Sequence, residues 1–231
     1  MKKLLLFDID GTLVSVEKTP ARQMLRRVVE EVFEITLPQD FVFHLGGKTD
    51  YQIITETLER LGIPTEQVQE RRTRIYDKLV EHTTPLSNAA QMRVLAGVRD
   101  LITTLQTRTD VTLGLLTGNI KPTAYLKLRP HGLDAAFSFG AFGCDHIERT
   151  MLPPIALHRA NSFVGREAFS PENTVIIGDT LNDIRCAKAH EIKVVAVASG
   201  HDSAETLREA KADVVVNDFS DVQAMVRLLV N

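Results

Sequence analysis

Residues 3–14, KLLLFDIDGTLV, constrain the fold of this 231-residue chain more than any other stretch. The apolar run Leu4-Leu5-Leu6-Phe7 stops abruptly at Asp8-Ile9-Asp10-Gly11, and so short a run bounded by turn residues reads as a fully buried strand entering a loop. In open α/β sheets ligands collect outside the carboxyl ends of the strands, so Asp8 and Asp10 are expected at the working edge of a sheet. Two residues apart, their carboxylates can point into one space. Gly11 allows a sharp turn there, and the Thr12 hydroxyl can hold its shape by bonding nearby amides. An ordinary Asp-Gly turn explains this stretch equally well when it is taken alone.

The rest of the chain alternates between two periodicities. From Pro20 to Glu34 the residues Ala21, Met24, Leu25, Val28, Val29 and Val32 mark one apolar face of a helix. Further helices are expected over Thr49–Leu61 and Thr65–His82, separated by Gly62-Ile63-Pro64. Residues 16–85 therefore read as an all-helical insert within an α/β unit formed by residues 1–15 and 86–231. After a helix over Leu95–Leu105 come buried-strand patterns at Val111–Thr117 and Thr174–Ile177, with a helix over Lys121–Leu128 and a short strand over Ala136–Phe139 between them. A helix over Pro153–Val164 precedes the second of these strands. Beyond Ala189, strands at Lys193–Ala198 and Asp213–Val216 alternate with helices at Ala204–Ala210 and from Ser220. Strand–helix alternation predicts right-handed crossovers and a parallel, Rossmann-like sheet.

A net charge of −3 supplies no electrostatic reason to expect nucleic acid or an acidic membrane as partner, which leaves a small molecule. The two cysteines, Cys144 and Cys186, form no CxxC or zinc-site spacing. Asp8 and Asp10 interrupt the apolar start before a signal peptide would be complete, and no stretch approaches the length of a membrane span. A cytoplasmic protein, monomeric or weakly dimeric, is expected.

Three buried strands end in polar groups: Asp8 and Asp10, then Thr117-Gly118-Asn119, then Asp179 and Asp183. Each has a local explanation, since Thr117 and Asn119 can cap a helix and Asp183 can be a solvated helix residue. A sheet that brings all three to one edge turns them into a candidate active site. Asp8, Asp179 and Asp183 repel one another and need a cation, and oxygen ligands without thiols or a histidine cluster select Mg²⁺. A carboxylate such as Asp8 can then attack a polarised phosphoryl group. Thr117 can bond the phosphoryl oxygens, Arg149 can neutralise charge as it builds, and Asp10 can protonate the leaving alkoxide and later activate water. Lys48, in His44-Leu45-Gly46-Gly47-Lys48-Thr49-Asp50, can reach an anionic substrate from a glycine-flexed loop, or be a solvated surface lysine.

At these residues the chain resembles the phosphatase-type hydrolases of the haloacid dehalogenase superfamily, phosphoglycolate phosphatases among them. The matching pieces, in order, are FDIDGTL at Phe7–Leu13, LLTGN at Leu115–Asn119, Arg149 ahead of a Pro-containing helix, and IGDTLNDIRCAKA at Ile177–Ala189. The resemblance implies Asp8 as nucleophile, Asp10 as acid/base, Thr117, Gly118 and Asn119 as the phosphate-binding loop, and Arg149 as the basic stabiliser. It further implies Mg²⁺ held by Asp8, the Asp10 backbone carbonyl and Asp179, with Asp183 as a further ligand or acting through water. The helical insert looks like a cap that closes over the site, hinged around Val14–Glu17 and Thr83–Ala90. The implied substrate is a small phosphorylated metabolite. A phosphosugar mutase shares both aspartates, and a noncatalytic phospho-accepting module shares the acidic strand ends; the long insert and Asp10 favour turnover over mere phosphate acceptance.

Overall fold

Side-chain alternation along the first strand, β1 (Lys3–Phe7), divides the interior in two. The computed structural model describes residues 2–16, 18–88 and 91–230. It buries Leu5 and Phe7 in one apolar cluster and Leu4 and Leu6 in another on the opposite face of the sheet. A strand covered on both faces must be apolar throughout, and each such side chain contributes about 1.5–3 kcal/mol on burial. Polar residues therefore begin only where β1 ends.

After the Asp8–Leu13 turn the chain forms a short strand, β2 (Val14–Val16), and then the helices α1 (Lys18–Phe33), α2 (Asp50–Glu59), α3 (Thr65–Glu70) and α4 (Arg72–Thr83) before returning through β3 (Met92–Val94). β2 and β3 pair antiparallel, with Val14 opposite Val94, so chain entry and exit share a two-stranded ribbon that the periodicity does not reveal. Of the expected hinge residues, Glu17, Ala89 and Ala90 lie outside the described residues. The four helices surround their own apolar cluster, including Val28 and Val32 of α1, Ile54 and Leu58 of α2, and Ile75 and Leu79 of α4. The single helix expected over Thr65–His82 is two, broken at Arg71 (φ −97°, ψ 8°), whose guanidinium stacks 4.8 Å from the Phe33 ring centre. No glycine or proline marks this break, so the sequence pattern gives no sign of it.

The remaining elements are α5 (Val98–Gln106), β4 (Val111–Leu116), α6 (Lys121–Leu128), β5 (Gly140–Ala141), α7 (Leu152–Val164), β6 (Thr174–Gly178), α8 (Leu181–Ala189), β7 (Lys193–Val197), α9 (Ala204–Glu209), β8 (Val214–Val216) and α10 (Val222–Val230). The six-stranded sheet runs β5-β4-β1-β6-β7-β8 and is parallel throughout. Residues of α5, α6 and α10 join the cluster beneath Leu5 and Phe7, and residues of α7, α8 and α9 join the one beneath Leu4 and Leu6. This is an α/β fold with helices on both faces of a parallel sheet. The strand expected at Ala136–Phe139 is instead a 3₁₀ turn (Asp134–Ala136) followed by buried Phe137 and Phe139. Its apolarity serves packing, with Phe137 edge-on to Phe7 at 6.0 Å, and β5 pairs only afterwards. With β4 and β6 on its two sides, β1 sits at the topological switch point, where a crevice opens beyond the strand ends.

Among the described residues no helix is long and apolar enough to cross a membrane. Both cysteines are free thiols.

Candidate active site

The turn that ends β1 works only with glycine at position 11. Gly11 has φ +84°, and a Cβ there would stand 2.2 Å from Asp179 Oδ2. Close approach of the two loops brings their carboxylates together, and Thr12 Oγ1 donates to Asp179 Oδ1 at 3.3 Å. Thr12 thus ties one strand end to another instead of bonding the amides of its own turn.

Asp8, Asp179 and Asp183 are buried, and one oxygen from each lies within 4.8 Å of the others. Arg149, also buried, donates from Nη2 to Asp183 Oδ1 at 2.6 Å and reaches Asp8 Oδ1 at 3.1 Å, while Nη1 donates to the Gly47 carbonyl at 3.0 Å. One guanidinium cannot balance three carboxylates. Burial, only partly offset by Arg149, raises the Asp8 carboxyl to about 6, and burial with the neighbouring charges of Asp8 and Asp183 raises Asp179 to about 8. Burial disfavours the Arg149 charge, but Asp183 and Asp8 outweigh it and push its pKa up. Removing Arg149 from such a cluster would cost about 3–5 kcal/mol, because buried carboxylates would lose their partner.

The undercompensated charge fits a divalent cation, and so does the donor set, which is all hard oxygen. The other roles of these acids differ. Asp183 caps α8, its Oδ2 accepting from Thr180 N at 3.0 Å and Thr180 Oγ1 at 2.6 Å, while Asp179 Oδ2 accepts from His201 N at 2.5 Å.

Thr117 and Asn119 lie at the end of β4. The Thr117 hydroxyl accepts from Asn119 Nδ2 at 2.8 Å, so its own proton is available to another acceptor. The Gly118 carbonyl accepts from the Asp50 amide at 2.9 Å, which links this loop to the start of α2. Asp10 is partly buried and is held at Oδ2 by Asn119 Nδ2 (2.8 Å) and by Lys127 Nζ (2.6 Å). Asp8, Asp10, Thr117, Gly118, Asn119, Arg149 and Asp179 all border one cavity of about 530 Å³.

The helical segment supplies the opposite wall, from Ala21, Arg22, Met24 and Leu25 of α1 and from residues 42–48 and Asp50. Lys48 lines the cavity, but its ammonium pairs with Glu56, whose carboxylate also accepts from Gln52 Nε2 at 2.9 Å. Backbone does more here. Gly46 and Gly47 turn their carbonyls to Asn182 and Arg149, and Gly47, at φ +67°, has no room for a Cβ, which would meet Thr180 Oγ1 at 2.4 Å.

Lys127 and Asp50 belong to none of the polar strand ends that mark the other site residues. The burial of Thr123, Ala124, Lys127 and Leu128 on one side of α6 follows helical spacing, so Lys127 carried a readable signal as a charge on an inward face. Asp50 carried none beyond its place in a first helical turn. Burial raises its carboxyl to about 6, and its Oδ2 accepts from Ile120 N at 3.1 Å across the two segments.

Known proteins resemble this chain over its whole length. A phosphoglycolate phosphatase of Haemophilus influenzae is 27% identical, over 95% of this chain and 96% of its own. A hydrolase structure from Pseudomonas syringae matches at TM-score 0.72 and 21% identity over the full length of both chains. A β-phosphoglucomutase structure from Clostridium difficile matches at TM-score 0.73 and 18% identity, over 100% of this chain and 98% of that one. The family model for haloacid dehalogenase-like hydrolases matches residues 5–197, and with the acidic and basic strand ends gathered around one cavity, this chain belongs to that family.

Proposed function

We propose that the protein is a Mg²⁺-dependent phosphatase that hydrolyses a small phosphomonoester through an aspartyl-phosphate on Asp8. The observation that carries this reading is the pairing of Asp8 and Asp10 beside one cavity, with Arg149 against Asp8 and Thr117 at the adjoining strand end. A nucleophile must be ionised, and Arg149 against Asp8 favours that form, as a cation held by the neighbouring acids would. Mg²⁺, held by Asp8, the Asp10 carbonyl and Asp179, with Asp183 directly or through water, would polarise the phosphoryl group and offset the acids' repulsion.

An Asp8 oxygen attacks phosphorus, the bond from phosphorus to the leaving oxygen breaks, and Asp10 gives that oxygen a proton. Asp10 next takes a proton from water as the water oxygen attacks phosphorus. The bond to Asp8 breaks, inorganic phosphate departs, and both aspartates return to their starting states. Thr117 and the backbone of Gly118 and Asn119 would hold the phosphoryl oxygens, and Arg149 would stabilise their charge.

Residues 16–85 act in this reading as a cap that excludes water and reads the leaving group, with Lys48 among the candidate contacts. The names of the curated relatives support a small phosphorylated metabolite as substrate and water as the acceptor. The absence of an apolar span among the described helices and the free thiols are compatible with work in the cytoplasm, and we take the chain to act as a monomer or weak dimer.

A panel of phosphomonoesters with Mg²⁺ tests the proposal. Phosphate release and a base-labile acyl phosphate trapped on the chain are expected. Transfer to a sugar hydroxyl in preference to water would favour the mutase reading, and phosphate uptake without turnover would favour the phospho-accepting module.

A further inference from the structure

Lys127 stands outside the chemistry just described, yet it is buried and touches the acid/base. An ammonium withdrawn from water costs several kcal/mol unless it is paired and hydrogen-bonded. Here Nζ donates to Asp10 Oδ2 and to Asn119 Oδ1, both at 2.6 Å. Asn119 closes the ring by donating from Nδ2 to the same Asp10 oxygen at 2.8 Å and to Thr117 Oγ1 at 2.8 Å. Asp10 Oδ2 therefore takes two donors, whereas Oδ1 is shielded from solvent and has no partner among the described residues. Two donors on one oxygen restrict rotation of the carboxyl group and fix the direction in which it faces the cavity.

We propose that Lys127 is a positioning residue for the acid/base: it clamps Asp10 through Oδ2 and so holds the carboxyl group in the orientation that passes a proton to the leaving group and takes one from water. The Thr117 hydroxyl is bonded to Asn119 and not to Lys127, so loss of the ammonium bears first on Asp10. This inference rests on the acid/base reading of Asp10. A lysine that merely stapled α6 to the loop would affect every substrate alike.

The test compares two esters in single-turnover experiments with the Mg²⁺-loaded full chain. The leaving group of p-nitrophenyl phosphate departs without a proton, whereas that of an alkyl phosphomonoester needs one. Lys127→Met, which retains the stem and removes the charge, should slow alkyl ester cleavage by about 10- to 100-fold, within the lower range of acid–base contributions. Nitrophenolate release should stay within about threefold of wild type, and Lys127→Arg should recover part of the alkyl rate. Equal losses on both esters, or none, would overturn the proposal. Thermal unfolding shows which variants fold; if Lys127→Met does not, the same comparison on Lys127→Arg decides, with an equal loss on both esters again overturning it. Asp10→Asn serves as the reference. If it fails to separate the esters, the acid/base reading itself is wrong, and if it separates them while the Lys127 variants do not, only the role of Lys127 is lost.

Discussion

On the sheet side of the cavity, Asp8, Arg149 and Asp183 are buried and bonded to one another, and Asp10 is gripped by Asn119 and Lys127. On the helical side, Arg22 and His44 are exposed and make no hydrogen bond or ion pair among the described residues, and Val42 is 51% exposed. Groups that stabilise developing charge act best when they are already oriented, because no reorganisation is then needed during the reaction. Groups that discriminate substrates act by gaining partners on binding, so they stand open beforehand. In the proposed reading this contrast gives chemistry to the strand ends and selectivity to the helices, and three substitutions test that division.

Asp8→Asn should have the largest effect. It retains the size of the side chain and removes the attacking oxygen, so phosphate release should fall by at least about 10⁴-fold on every ester, in keeping with the loss of other catalytic nucleophiles. Circular dichroism should remain native, and no acyl phosphate should be trapped. Near-normal turnover would remove Asp8 as the nucleophile.

Next in size is the metal. Chelation should suppress turnover, and Mg²⁺ should restore it better than Ca²⁺, which prefers looser coordination with more ligands. The unloaded acids repel one another, so Asp179→Asn in chelator at pH 8 should raise the unfolding temperature by a few degrees, about what 1 kcal/mol achieves in a chain of this length. The same variant should lose the Mg²⁺-dependent rise expected of wild type. A variant with an unchanged Mg²⁺ titration would take Asp179 out of the ligand set.

The smallest effect belongs to the helical wall. Lys48→Ala should raise KM for the best natural ester by about 3- to 10-fold, with little change in kcat, if its contact is the same in ground and transition states. A small generic ester that does not reach this wall should be unaffected. Because the ammonium already pairs with Glu56, a substrate contact has to compete with that carboxylate. Equal kinetics for variant and wild type on both esters would reassign Lys48 to structural pairing with α2.

By itself the sequence determined the strand ends. Apolar runs that stop at Asp8, Thr117 and Asp179 report burial and its limit, and both are local properties of hydrophobic pattern and turn residues. The parallel sense of the main sheet followed from strand–helix alternation, whereas the place of Arg149 ahead of a Pro-containing helix carried meaning only through the family resemblance. The β2–β3 ribbon, the break at Arg71 and the partners of Lys127, Lys48 and Asp50 were decided only in the tertiary structure. Asp10 and Lys127 are 117 residues apart, and Asp10 and Asn119 are 109 apart. Their clamp exists because the sheet sets β4 beside β1 and α6 packs its inward face against the same cluster. A buried charge is stable only beside a partner, and where the partner comes from a distant part of the chain, the fold alone brings the two together.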